Sequence, residues 1–121
     1  MTSMDLAETA REAIRRVIVA QLEAFQADDG IQAFFYAAPS IRQQFKTADN
    51  FMHMVRNSYQ PVYRPRGVIF GDLTEMQGFP AQVVFVMAQS GEIVKAIYLM
   101  QRQPSMDWRI AGCFLVPMEE I

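Results

Sequence analysis

Ala81-Gln82-Val83-Val84-Phe85-Val86-Met87-Ala88 and, across Ser90-Gly91-Glu92, Ile93-Val94-Lys95-Ala96-Ile97-Tyr98-Leu99-Met100 form the stretch on which the fold turns. Its density of β-branched and aromatic residues on either side of a glycine turn predicts two antiparallel strands. A strand with one face in water alternates apolar and polar residues. Here Val83, Phe85 and Met87 oppose Val84, Val86 and Ala88, while Ile93, Ile97 and Leu99 oppose Val94, Ala96, Tyr98 and Met100. Both faces are apolar, so both need a cover.

Working outward, Gly67–Gln77 and Trp108–Val116 add a strand on each side, separated by Gly78-Phe79-Pro80 and Pro104-Ser105-Met106-Asp107. Four strands joined by short turns make an antiparallel meander. Strict alternation in the last strand sets Trp108, Ile110, Phe114 and Val116 on one face and Ala111, Cys113 and Leu115 on the other. Upstream the period changes to that of helices. Leu6, Ala10, Ile14, Val17, Ile18, Leu22 and Phe25 share one face of a helix over Asp5–Ala27, broken at Asp28-Asp29-Gly30. Gly30 supplies its end and an aspartate caps the next start. Ile31–Ala38 reads as a second helix whose apolar stretch Ala33-Phe34-Phe35-Tyr36 is mostly buried; Pro39 stops it and can itself stand near the start of a turn over Ser40–Phe45. Asn50–Tyr59, capped by Asp49, reads as a third, and Pro61 and Pro65 predict an extended crossing over Gln60–Arg66. The fold class is α+β: three N-terminal helices (about 5–59) packed on a curved four-stranded antiparallel sheet (about 67–116), one domain over 1–121.

Composition excludes several function classes. The chain has 121 residues, 51% of them hydrophobic, and a net charge of −2, an ordinary globular balance. A nucleic-acid protein needs a basic excess that is missing here. The single cysteine, Cys113, rules out an internal disulfide or a multi-cysteine zinc cage. The amino end lacks the basic-then-apolar pattern of a signal peptide, and no apolar run approaches a membrane span. A cytoplasmic protein, with no nucleic-acid or membrane partner, is the expectation.

Gln21-Leu22-Glu23-Ala24-Phe25-Gln26-Ala27-Asp28-Asp29, Tyr59-Gln60-Pro61-Val62-Tyr63-Arg64-Pro65 and Trp108-Arg109-Ile110-Ala111-Gly112 resemble the bacterial family known as domain of unknown function 4864. The resemblance runs from about Ile14 to Val116 and includes the helix with Phe51, Met54 and Val55. The tryptophan-and-glycine last strand is similar to the wider nuclear transport factor 2-like, cystatin-like superfamily. That resemblance implies a cone of helices wrapped inside a bent sheet, often with a pocket at the open end. It implies no single activity, because the superfamily includes dehydratases, isomerases, binding modules and transport adaptors.

Candidate chemistry is sparse. His53, the lone histidine, shares a helical face with Arg56, Asn57 and Gln60 and reads as a surface residue. Met52-His53-Met54 offers soft ligands, but successive helical side chains diverge by about 100°, so no metal site is expected. Asp28 and Asp29 combine a helix-capping role with a possible pocket carboxylate. Tyr59, Tyr63, Arg64 and Arg66 sit on a proline-stiffened segment and suit an anionic or aromatic ligand, or else pair with Asp72 or Glu75. The candidate ligand-binding residues are Asp29, Tyr59, Tyr63, Arg64 and Tyr98; no catalytic residue, metal ligand or cofactor is expected. The first reading is a non-enzymatic small-molecule-binding or structural module that takes a small apolar or anionic ligand and forms a homodimer through the sheet. The alternatives are a lyase or isomerase using Asp29 with a tyrosine, and a protein–protein adaptor.

Overall fold

The computed structural model describes residues 7–118. Five helical segments precede one sheet: α1 (Glu8–Gln26), α2 (Gly30–Phe35), α3 (Pro39–Phe45), α4 (Ala48–Ser58) and α5 (Gln60–Tyr63). The sheet follows as β1 (Gly67–Met76), β2 (Phe79–Met87), β3 (Ile93–Arg102) and β4 (Trp108–Pro117), all antiparallel and in sequence order. The α+β class and the meander therefore match the sequence reading, while the helical half is more broken than expected. Asp5 and Leu6, expected in the first helix, lie outside the described residues.

α1 buries Ala10, Ile14, Ile18, Leu22 and Phe25, the face that its periodicity marks. Its end differs from the expectation. The Asp29 amide reaches the Ala24 carbonyl at 2.8 Å and the Asp28 amide reaches Phe25 at 3.0 Å, which is a Schellman closure. Asp28, at φ 53°, takes the left-handed position usually given to glycine, and Gly30 opens α2 instead.

α2 stops at Phe35, earlier than expected, because the next residues pair with the sheet. The Ile110 amide donates to Tyr36 and the Ala38 amide donates to Ile110, each at 2.8 Å. Ala37 thus bridges the free edge of β4, which shields hydrogen-bonding groups an edge strand would leave open. Nor is the Ala33–Tyr36 stretch mostly buried: only Ala33 is, while Ile31 is 77% exposed. Pro39 starts α3, as its place ahead of Ser40–Phe45 predicts, at a position where its missing N–H costs nothing. Thr47, not Asp49, caps α4, its hydroxyl accepting from the Asn50 amide at 3.1 Å. The segment after α4 is also not simply extended: Pro61 lies in the first turn of the one-turn α5.

In the sheet, Val84, Val86, Ala96, Tyr98 and Met100 face the helices and are almost wholly buried. The opposite face carries Val83, Phe85, Ile97 and Phe114, aligned by the registers Val83↔Ile97 and Ile97↔Phe114. Strict alternation fails in β4. Its register shifts between Leu99↔Gly112 and Met100↔Ile110, leaving Ala111 as the extra residue. Trp108 and Ile110 consequently face the helices, whereas Phe114 and Val116 face away, and Cys113 and Leu115 turn inward. A second bulge, between Phe70 and Leu73, puts Gly71 against Phe85; a Cβ there would lie 2.9 Å from the ring. Gln82 Nε2 binds the carbonyl of Gly71 at 2.9 Å and so holds this bulge closed.

Candidate functional site

Two regions stand out, and they are built oppositely. The first joins the end of α1 to α5. Its left-handed backbone turns the Asp28 carboxylate toward the Tyr63–Arg64 segment, where the Tyr63 hydroxyl donates to Oδ1. Arg64 Nη2 donates to Oδ2 at 2.9 Å, and Arg56 Nη2 approaches Oδ1 at 3.4 Å. Arg64 Nη1 also donates to the Phe25 carbonyl at 2.6 Å, satisfying a helix-end acceptor. The guanidinium stacks over Tyr63, 4.1 Å from its centroid. The Tyr63 hydrogen bond, followed by the Arg64 charge, holds the Asp28 carboxyl below its ordinary range. The arginine thus pairs with an acid of its own chain, but with Asp28 rather than Asp72 or Glu75.

The second centre is a half-open cavity of about 420 Å³ between the helices and β3–β4. Phe25, Ile41, Phe51, Met54 and Ile110 supply apolar wall, with Tyr98 and Cys113 on the sheet side and Ser58 on the exposed end of α4. Among the described residues no Asp, Glu, Lys, Arg or His contributes to its lining. Tyr59 donates its hydroxyl to the Cys113 carbonyl at 3.0 Å, tying the helices to β4. Gln21, also in the wall, donates its amide to the Ala33 carbonyl at 3.0 Å.

Tyr98 is the exception. It is 1% exposed, and its hydroxyl has no hydrogen-bond partner among the described residues. Cys113 stands directly opposite in the β3–β4 register, and its sulfur offers the hydroxyl a weak acceptor without the geometry of a full hydrogen bond. Burial raises the Tyr98 hydroxyl well above its ordinary range, so it stays protonated. Burial likewise pushes the Cys113 thiol up to about 12, leaving an unreactive SH. Leaving a buried hydroxyl unpaired costs about 1–3 kcal/mol.

The sequence-nominated residues therefore scatter. Tyr59 and Tyr98 line the cavity, whereas Tyr63 and Arg64 belong to the Asp28 junction. Asp29 is elsewhere again: its Oδ1 accepts from the Gln32 amide at 3.2 Å as the N-cap of α2. The Asp29–tyrosine pair required for acid–base chemistry is not assembled. His53 lies on the exposed face of α4, 3.1 Å from Asn57. Among the described residues no group of three or more His, Cys, Asp or Glu could hold a metal ion, and no helix is long and apolar enough to cross a membrane. Sequence reasoning missed Asp28 as the hub because its backbone conformation, not its type, aims it. The unpaired state of Tyr98 was equally hidden, although a phenol in an otherwise apolar row of strand residues was the available signal.

Comparison with known proteins returns one finding. No curated protein and no solved structure matches the chain. A family model described as Domain of unknown function (DUF4864) matches residues 7–121, nearly the full length, and the chain belongs to that family.

Proposed function

We propose that this chain is a non-enzymatic small-molecule-binding module, with the cavity between helices and sheet as its site. The observation that carries this reading is a cavity of about 420 Å³ with an apolar wall and no charged side chain in its lining. Its volume falls in the range typical of ligand sites, roughly 300–1,000 Å³. The absence of a carboxylate or imidazole from that wall favours binding over general acid–base catalysis. Uptake of Nile red, followed by fluorescence, tests it. Ser58→Trp places an indole at the exposed rim, away from the buried core, and should abolish the signal while the circular dichroism spectrum is unchanged. Equal dye uptake by this variant would mean that the cavity is not the site.

A second element of the reading is a homodimer through the outer sheet face. Ile69 is 71% exposed there and Phe114 44%, with Phe85 and Ile97 between them in adjacent rows. Val86 and Tyr98 face inward, so the pairing surface is the opposite one. Covering roughly 600 Å² of apolar surface per subunit at about 25 cal/mol per Å² outweighs a sizeable ordering cost. Twofold pairing is the commonest arrangement of this kind. Light scattering during size exclusion should give a dimer that Ile97→Glu splits. A wild-type monomer would remove the dimer from the proposal without touching the cavity.

A further inference from the structure

We infer that the cavity selects a neutral, mostly apolar ligand bearing one hydrogen-bond acceptor oxygen, such as a ketone, ester or amide, which Tyr98 Oη engages as donor. This rests on the cavity being a binding site and names the chemistry that it would take.

Three observations lead there. The lining has no cation, so a buried carboxylate or phosphate would lack its counter-charge, and an isolated buried ion costs far more than an apolar wall returns. The arginines that suit an anion, Arg56 and Arg64, are engaged by Asp28 and do not contribute to that lining. The remaining polar groups with described partners are used internally: Tyr59 by the Cys113 carbonyl and the Gln21 amide by Ala33. Gln44 and Ser58 lie at the exposed rim, so the Tyr98 hydroxyl is the buried polar group of the wall that lacks a full hydrogen bond among the described residues.

Direction follows from chemistry. A phenol held protonated keeps one O–H to give, and the thiol opposite is at best a weak acceptor. The complementary group is an oxygen with free lone pairs on an otherwise apolar body. Because the hydroxyl is closed to solvent, the proposal requires the wall side chains that cover it to move aside when the ligand enters. Relieving an unpaired buried donor adds to the bond formed, which sets the expected selectivity at about tenfold.

Three naphthalene probes of similar shape separate the possibilities: acetonaphthone, ethylnaphthalene and naphthoate, titrated by calorimetry or by their own fluorescence. Wild type should bind the ketone about tenfold more tightly than the hydrocarbon, and the carboxylate most weakly. Tyr98→Phe should erase the ketone preference, so that ketone and hydrocarbon bind alike. The bound ketone should show a carbonyl stretch moved to lower frequency in the wild type only, a signature that a change in packing does not reproduce. Should the variant fail to fold, the wild-type affinity order and carbonyl shift still decide. Equal binding of ketone and hydrocarbon with no shift, or a preference for naphthoate, would overturn the inference and leave the cavity a binding site. Failure of all three probes to bind would overturn the cavity reading itself, and this inference with it.

Discussion

The Asp28 junction and the Tyr98 wall treat polar groups in opposite ways. At the junction one carboxylate collects a tyrosine and two arginines near the surface, each charge answered by a neighbour. In the wall the Tyr98 hydroxyl is buried among apolar chains and, among the described residues, has only the weak sulfur acceptor of Cys113 nearby. The junction looks functional in sequence because it is rich in Tyr and Arg, yet its pairing makes it a fastening. The wall looks like ordinary core in sequence, yet among the described residues it holds a buried donor without a full hydrogen bond, beside a cavity.

The comparison can be broken most severely at Tyr98. Tyr98→Ala removes a large, fully buried side chain and should lower stability by about 3–5 kcal/mol in urea unfolding. Tyr98→Phe keeps the ring and discards only the unpaired hydroxyl, so stability should hold or rise by about 1 kcal/mol. A loss of more than that would show that the hydroxyl has a partner.

Arg64 comes next. Arg64→Ala forfeits the bond to the Phe25 carbonyl and the contact with Asp28, and should cost about 1–2 kcal/mol, because the guanidinium is part-buried and one acceptor ends a helix. An unchanged urea midpoint would demote the junction to surface decoration, as many exposed ion pairs are.

Asp28 sharpens the point by direction. Its folded-state carboxyl lies below its ordinary range, so its contribution is present at neutral pH and is lost as pH falls through the folded value. The wild type should therefore lose stability in the acid range below about pH 4, and Asp28→Asn should flatten that fall. Asp28→Gly should be tolerated better than Asp28→Ala, since glycine adopts the left-handed backbone without strain.

The smallest effect is expected at the alkaline end. Burial raises the thiol of Cys113, so the folded state binds its proton more tightly than the unfolded chain does. Its contribution is full below the unfolded value of about 9 and declines above it. Thermal unfolding temperatures should fall beyond pH 9, less steeply for Cys113→Ala. The same slope in both proteins would assign the decline to Tyr98 and Tyr59, whose hydroxyls burial also raises.

The sequence by itself determined the α+β class, the four strands and their order, and the buried face of α1. These rest on periodicity and turn chemistry, which act over a few residues and are legible one segment at a time. It placed Val84, Val86, Ala96, Tyr98 and Met100 on shared strand faces, but could not say which face was inward. Only the tertiary structure decided that, along with the bulge at Ala111 that splits Trp108 from Phe114. It also ended α2 where Ala37 meets β4, and aimed Asp28 rather than Asp29 at Arg64. Each of these depends on a partner far away in the chain. A bulge is set by the neighbouring strand and a left-handed aspartate is held by side chains 28 to 36 residues on. A hydroxyl is unsatisfied only by virtue of everything around it, which no local pattern records.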